Sequence, residues 1–523
     1  MKTLVSASLG LVMSALICAA GAAASSSSMA WQPYNAEVFE QAEREDRLIL
    51  LDLVAVWCHW CHVMEQKTYA DPEVRELLER HYVAVQADHD ARPDLAERYR
   101  DYGWPATIIL TPDGRELVKR AGYIDPQQMR ALLARTLNER GQSVIESQPA
   151  PTRPRAAGLS VALRQQLIQR HLSTYDEDLG GLRLMQKFLD ADSVEYDLEL
   201  ASRGDQAAAD RARQTLSAAA ALIDPAFGGA YQYSTHGDWQ HPHYEKIALT
   251  QANYLRVYSR AYQQLGDDLF AQVAMAVGDY VIEFWRSEQG GFFNSQDADL
   301  KQGEKAHDYF ALPRQQRLAL GQPRIDRNRY ASSNGMLIEG LVRLHQATGE
   351  RRYLAAAVKA FEWVMRERLR DDGGFAHGGS AEQGLFLSDN LYMARAMLAL
   401  YEVSQQTIWL TRANALAAYI DQHFADPRGG LVTAVADGTP LRPKPQIDLN
   451  IHAAKFFLRL AELSARREAL SIAEGVMSYL SDEQVALARL TEPGLLSADR
   501  QWRQLNAAAS SVTEMPGVSN ARL

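Results

Sequence analysis

Apolar and polar positions between residues 31 and 140 follow two alternating periods. "NAEVFEQAERED" places Val38, Phe39 and Ala42 on one helical face behind Asn35, a residue suited to capping a helix N-terminus. "RLILLDLVAVW" is an almost unbroken apolar run, the mark of a strand covered on both faces. "DPEVRELLERHY" returns to helical spacing, with Asp71 as cap and Pro72 at the first helical position. "YVAVQAD" predicts the next strand and "PDLAERYRDY" the next helix. "ATIILTPDGRELVKRAG" reads as a hairpin turning at Pro112-Asp113-Gly114, and "DPQQMRALLARTL" as a closing helix. The alternation predicts an α/β domain over residues 31–140.

The pattern then changes. Residues 141–159 include "ESQPAPTRPRAAG", whose three prolines predict a linker. Beyond it only the helical period remains, in pairs such as "EKIALTQANYLRVYSRAYQQLG" with "DDLFAQVAMAVGDYVIEFWRSE", and "NGMLIEGLVRLHQATG" with "RRYLAAAVKAFEWVMRERL". A doubled glycine recurs between pairs, at Gly180-Gly181, Gly228-Gly229, Gly290-Gly291, Gly373-Gly374 and Gly429-Gly430. These long, uneven periods predict roughly six helical hairpins over residues 160–490. Residues 491–523 have weak periodicity and are expected to form a loosely docked tail.

Composition narrows the function classes. The chain has 523 residues, a formal net charge of −10 and no basic run, which argues against nucleic acid or an anionic membrane as the main partner. Lys2, the apolar run "LVSASLGLVMSALICAA" and the small residues "GAAASSSS" predict a secretory signal peptide over residues 1–24. No later segment approaches a membrane span, so no stable membrane insertion is expected. With Cys18 removed in the signal, only Cys58 and Cys61 remain. Two cysteines three positions apart close too small a loop to stabilise a fold of this size, so a chemical role is expected.

The motif "WCHWCH" fits a redox dithiol and also a haem-attachment string. Haem attachment would consume both sulfurs, and Met64 lies too near His62 to act as the opposite ligand. Zinc has His59, His62 and His89 as nearby donors, but a structural zinc site presents two ligand pairs and the sequence offers one. The strand–motif–helix context favours the dithiol.

The order of elements resembles the thioredoxin fold. The resemblance implies that Cys58 lies at a helix N-terminus that favours its thiolate. It also implies that Asp52 is a buried carboxylate beneath the active site and that Pro105 of "YGWPATIIL" is a cis-proline facing the disulfide. "LDLVAVWCHWCHVMEQKTYADPEV" is similar to the C-terminal domain of the membrane thiol:disulfide interchange reductases, in which a carboxylate at the place of Glu65 lies near the cysteine pair. "WCHWCHVME" with "ADHDARPDLAERY" resembles the spermatogenesis-associated thioredoxin-like proteins, which join such a domain to a large helical one. The Gly-Thr-Tyr-Phe-Pro stretch those proteins carry after the proline is missing here. The helical repeats in turn resemble the (α/α)6 toroid of six-hairpin glycosidases and sugar 2-epimerases.

These resemblances imply a multidomain chain, an N-terminal α/β thioredoxin fold followed by an all-α (α/α)6 toroid. They imply a thiol–disulfide oxidoreductase acting on exported proteins in a bacterial periplasm, with reduction or isomerisation favoured over oxidation. Cys58, taken as the cysteine nearer solvent, is the expected nucleophile and Cys61 the resolving thiol. His59 and Trp60 would tune and flank the pair, Asp52 and Glu65 would handle charge, and Pro105 would hold Trp104 for backbone pairing with a substrate. The expected partners are protein thiols or disulfides and an upstream redox donor, with no metal and no cofactor beyond the disulfide itself. In the toroid, "HPHYEK" and "SQDADL" offer His243, Glu245, Asp297 and Asp299 as residues of a cavity. These carry the alternative reading, a sugar epimerase or glycosidase with a carbohydrate ligand and a regulatory thioredoxin domain.

Overall fold

The computed structural model describes residues 29–139, 156–379, 384–464 and 466–513, with side chains to residue 507. The expected signal peptide and most of the linker lie outside the described residues.

The N-terminal domain is built on a five-stranded sheet. β1 (Gln32–Pro33), β2 (Leu48–Val54), β3 (Tyr82–Asp88), β4 (Ala106–Leu110) and β5 (Glu116–Ala121) lie in the order β1-β3-β2-β4-β5. The first three run parallel, whereas β4 and β5 are antiparallel to their neighbours. β2 is central, with Leu51 between Val85 and Ile108, and its residues from Leu48 to Leu53 are buried, as an apolar run covered on both faces requires. On the two faces pack α1 (Ala36–Arg44), α2 (His59–Lys67), α3 (Pro72–His81), α4 (Pro93–Arg98) and α5 (Pro126–Asn138). The caps read from the sequence form: Asn35 accepts from the Val38 N–H, and Asp71 from the Glu73 and Val74 N–H groups. The Trp104–Pro105 peptide is cis.

The rest of the chain is helical: α6 (Val161–Thr174), α7 (Ala191–Ala201), α8 (Gln206–Ala219), α9 (Ala248–Leu265), α10 (Asp268–Tyr280), the short α11 (His307–Phe310) and α12 (Arg314–Leu320), α13 (Ala331–Thr348), α14 (Arg351–Glu367), α15 (Leu387–Ser404), α16 (Thr407–Phe424), α17 (Ile447–Ser464), α18 (Arg467–Leu480), the short α19 (Glu483–Ala486) and α20 (Pro493–Thr513). α7, α9, α13, α15, α17 and α20 touch in succession, and α20 returns to α7, which closes an inner ring. α8, α10, α14, α16, α18 and α6 each pair with one of them from outside. The expected loose tail is therefore corrected. α20 is an inner helix whose Leu495, Leu496, Ala498 and Trp502 are buried in the core, and its outer partner is α6 at the other end of the domain.

The doubled glycines join outer helices to the next inner ones for a definable reason. Gly291 has φ +74°, and a Cβ there would lie 2.5 Å from the Trp363 ring; Gly229 has φ +76° and meets Tyr280 in the same way. The backbone that follows is caught by an amide from an inner helix: the Ala230 N–H donates to Gln251, Phe292 to Asn334, Phe375 to Asn390 and Leu431 to Asn450.

The two domains share a polar and apolar boundary. Arg100 pairs with Asp448 at 2.6 Å, Arg92 with Asp437 at 3.1 Å, and His377 Nε2 lies 2.7 Å from the Asp90 carbonyl. Leu441 of the toroid is buried in the thioredoxin-side core beside Tyr34 and Leu95. This boundary sets the active-site end of the α/β domain over the mouth of the toroid.

Candidate functional site

Cys58 caps the N-terminus of α2, its sulfur accepting from the Cys61 N–H at 3.2 Å, and the two cysteines form a disulfide with their Cα atoms 5.3 Å apart. The pair sits in an apolar cluster with Ala55 and Trp57, against which Trp60, Trp104 and, from the toroid, Ile247 pack. Cys58 is 3% exposed and Cys61 5%, so the expectation that Cys58 lies nearer solvent is corrected. The toroid covers the pair.

Asp52 lies on β2 at 1% exposure, accepting from Tyr69 Oη at 3.0 Å and Gln86 Nε2 at 3.2 Å. Burial is the largest influence on its carboxyl and pushes the pKa up to about 7. Glu65 is raised for the same reason while accepting from Trp31 Nε1, and its charge acts on Asp52. Trp57 Nε1 donates to Asp90, and Trp104 lies edge-on to the His89 ring.

The histidines of the motif point at the toroid. His59 Nδ1 is 2.6 Å from Asp299 Oδ1, and His62 Nδ1 is 3.1 Å from Asp299 Oδ2. Burial opposes ionisation of Asp299, yet these two hydrogen bonds hold its pKa down to about 2. Asp297, 1% exposed, is pushed up to about 7 by burial, and Glu245 adds like charge. Asp297 and Asp299 thus face α2 and do not line the cavity, whereas His243 and Glu245 do. His243 stacks on Tyr233 at 4.3 Å between centroids and stands 3.8 Å from Glu245.

That cavity, about 790 Å³, lies between the domains. Trp57, Cys58, Trp60 and Trp104 line its thioredoxin side; Phe188 and Leu490, both exposed, line it as well. Deeper lining comes from inner helices: Arg256, Tyr392 and His452. Tyr392 Oη is 3.0 Å from His452 Nδ1, and Arg256 pairs with Glu195 at 2.5 Å. Burial, then the charges of Arg395, Arg256 and Lys455, lower the His452 pKa well below its usual value, which keeps the imidazole neutral. Glu492, also lining, is pushed up to about 9 by burial and then by Asp448, so it retains its proton at pH 7. Sequence reasoning missed His452 and Glu492. The available signal was position, since His452 falls in the second turn of inner helix α17 and Glu492 immediately precedes inner helix α20.

A Cys-x-x-Cys at the head of α2, on a thioredoxin sheet with a cis-proline, set over a six-hairpin helical ring, defines a two-domain thioredoxin–toroid protein. The comparisons agree part by part. Residues 22–148 match Thioredox_DsbH, described as "Protein of unknown function, DUF255", and residues 326–503 match Glycosyl hydrolase family 76. The chain is similar to spermatogenesis-associated protein 20: it is 24% identical to the mouse protein, covering 76% of this chain and 68% of that one, and 24% identical to the human protein, covering 80% and 71%. A stretch covering 14% of the chain is 36% identical to thiol:disulfide interchange protein DsbD 2 of Pseudomonas aeruginosa, covering 13% of that protein. Among solved structures, D-mannose isomerase has the toroid's fold, with a TM-score of 0.51 at 12% identity over 66% of this chain and 98% of that one. No helix among the described residues is long and apolar enough to cross a membrane.

Proposed function

We propose that the protein is a thiol–disulfide oxidoreductase whose dithiol serves a ligand admitted to the cavity between the domains. The observation that carries the proposal is the position of Cys58: at the N-terminus of α2, buried from bulk solvent, yet lining a cavity whose walls come from both domains. A folded protein surface does not reach a sulfur covered in this way; a small disulfide or an extended, cysteine-bearing segment does.

In the reduced state the Cys58 thiolate attacks one sulfur of the substrate disulfide, and the other sulfur leaves as a thiolate and takes a proton. Cys61 then loses its proton and attacks Cys58 Sγ, which releases the second substrate thiol and closes the Cys58–Cys61 disulfide. Asp52, with its pKa near 7, is suited to accept the Cys61 proton. Two electrons pass to the substrate, and a donor dithiol restores them by the reverse exchange. The direction we favour is reduction or isomerisation over oxidation, with Glu65 disfavouring a permanently charged Cys58. Export rests on residues 1–24; the relatives that share both domains include mouse and human proteins and do not favour a bacterial periplasm in particular.

The test is reduction of a small disulfide by the full chain with a dithiol donor. Cys58→Ser should abolish turnover, and equal rates for variant and wild type would refute the proposal. A second reading has its own support: neutral His452 and proton-holding Glu492 line the same cavity, an acid–base pairing suited to a carbohydrate ligand. A panel of mannose, glucose and their disaccharides, assayed with oxidised and reduced protein, checks it. No turnover in either state removes it.

A further inference from the structure

We propose that His62 and Asp297, with Asp299 positioning the imidazole, form a site for one divalent transition-metal ion of the zinc type at the junction of the two domains. His62 is on α2, one residue beyond the disulfide, and the two aspartates follow the short strand Ser295–Gln296 of the toroid. One donor atom from each of the three lies within 4.8 Å of the others.

The hydrogen-bond pattern gives each residue a distinct part. Asp297 Oδ1 accepts from the Asp299 N–H at 3.0 Å, but Oδ2, on a side chain 1% exposed, has no hydrogen-bond partner. It faces His62 Nε2 across 3.7 Å. That is too long for a hydrogen bond. It is close to the roughly 3.4 Å that separates two donors held about 2.1 Å from one ion at a tetrahedral angle. The opposite ring nitrogen, Nδ1, is held by Asp299 Oδ2 at 3.1 Å. A carboxylate on Nδ1 orients the ring with Nε2 toward Asp297, as outer carboxylates do for ligating histidines, and the imidazole's hydrogen bond to the Val56 backbone is the contact an ion on Nε2 would replace. Asp299 is in turn fixed by His59 and by the Gly303 N–H at 2.7 Å. His62 Nε2 and Asp297 Oδ2 are therefore the donors and Asp299 the positioning residue, with the remaining coordination positions left to water.

Charge points the same way. A buried carboxylate oxygen without a hydrogen bond is costly, and Glu245, whose buried Oε2 also has none and stands 3.8 Å from His243, adds like charge that acts on Asp297. One imidazole among carboxylates selects a transition ion over magnesium or calcium, which prefer oxygen donors alone. The sequence could not offer this site, because its only cysteine pair has no second pair near it and the aspartates lie more than 230 residues away. The rival occupant is a protonated His62 set between the two carboxylates with no metal.

The experiment uses the untagged full chain with the Cys58–Cys61 disulfide kept closed, so that no thiolate competes for the ion. Chelator-stripped protein is titrated with Zn²⁺ against a competing indicator, and metal content after dialysis is measured by mass spectrometry. The expected result is about one ion per chain, with affinity reduced at least tenfold by Asp297→Asn and by His62→Gln. Co²⁺ in the wild type should give a visible ligand-field band, a readout independent of how the variants fold. Less than about a tenth of an equivalent of Zn²⁺ in the wild type would overturn the site and leave the protonated histidine. Full displacement of Zn²⁺ by millimolar Mg²⁺ would overturn the imidazole as a ligand.

Discussion

Asp52→Asn should stabilise the protein at neutral pH and do so less as the pH falls. In the native state burial holds the Asp52 carboxyl at a pKa of about 7, against 3.8 for the unperturbed group. Between those values the folded chain keeps a proton that the unfolded chain has lost, so stability falls as pH rises through that window. At 1.36 kcal/mol per pH unit, the cost above pH 7 is about 4 kcal/mol. Asparagine carries no charge and can still accept from Tyr69, while the Gln86 amide can turn to accept from the new Nδ2. Denaturant unfolding of the full chain, followed by fluorescence of the tryptophans around the site, should show a higher midpoint for the variant at pH 8 and coincident curves near pH 4. A stability difference that is constant with pH, or that grows toward acid, would refute a buried, proton-holding Asp52.

Other consequences follow from the junction and the ring. Asp299→Ala strands the buried His59 and the half-buried His62 and should loosen the domains by about 3 kcal/mol, read as a roughly hundredfold faster reduction of the Cys58–Cys61 disulfide by a bulky phosphine; an unchanged rate would mean Asp299 does not hold the closed arrangement. Gly291→Ala puts a Cβ 2.5 Å from Trp363 at φ +74° and should cost the toroid about 3 kcal/mol, seen as a lower denaturant midpoint, whereas a wild-type midpoint would contradict the tight approach. Truncation before α20 removes one inner helix and should abolish cooperative unfolding of the helical domain; a retained cooperative transition would restore the idea of a loose tail.

Much of the thioredoxin domain was legible because its determinants are local. A strand covered on both faces, Asp71 before Pro72, and a cysteine pair at a strand–helix junction each leave a signature within a few residues. The doubled glycines were equally readable as turns, though not the aromatic rings that demand them, which come from the following hairpin. Three features depended on distance in sequence. "PGLLSADRQWRQL" looks weakly periodic alone because its buried faces are supplied by α6, α7 and α17. The sequence sets Asp297 and Asp299 with the toroid cavity because spacing does not say which way a loop faces; they turn toward α2. Cys58 was expected near solvent, as a lone thioredoxin domain would have it, and the toroid closes over it.

The central claim is that a buried dithiol exchanges with a ligand in the cavity between the domains. Intact-mass measurement of the full-chain Cys61→Ser variant, recovered from cells under thiol-quenching conditions, tests it directly, since the resolving step is blocked and whatever exchanges with Cys58 stays attached. A cavity of about 790 Å³ predicts a discrete adduct of small-molecule or short-peptide mass on Cys58. Mixed disulfides mainly with intact folded proteins, or no adduct under conditions that trap other thioredoxin-fold enzymes, would contradict the account.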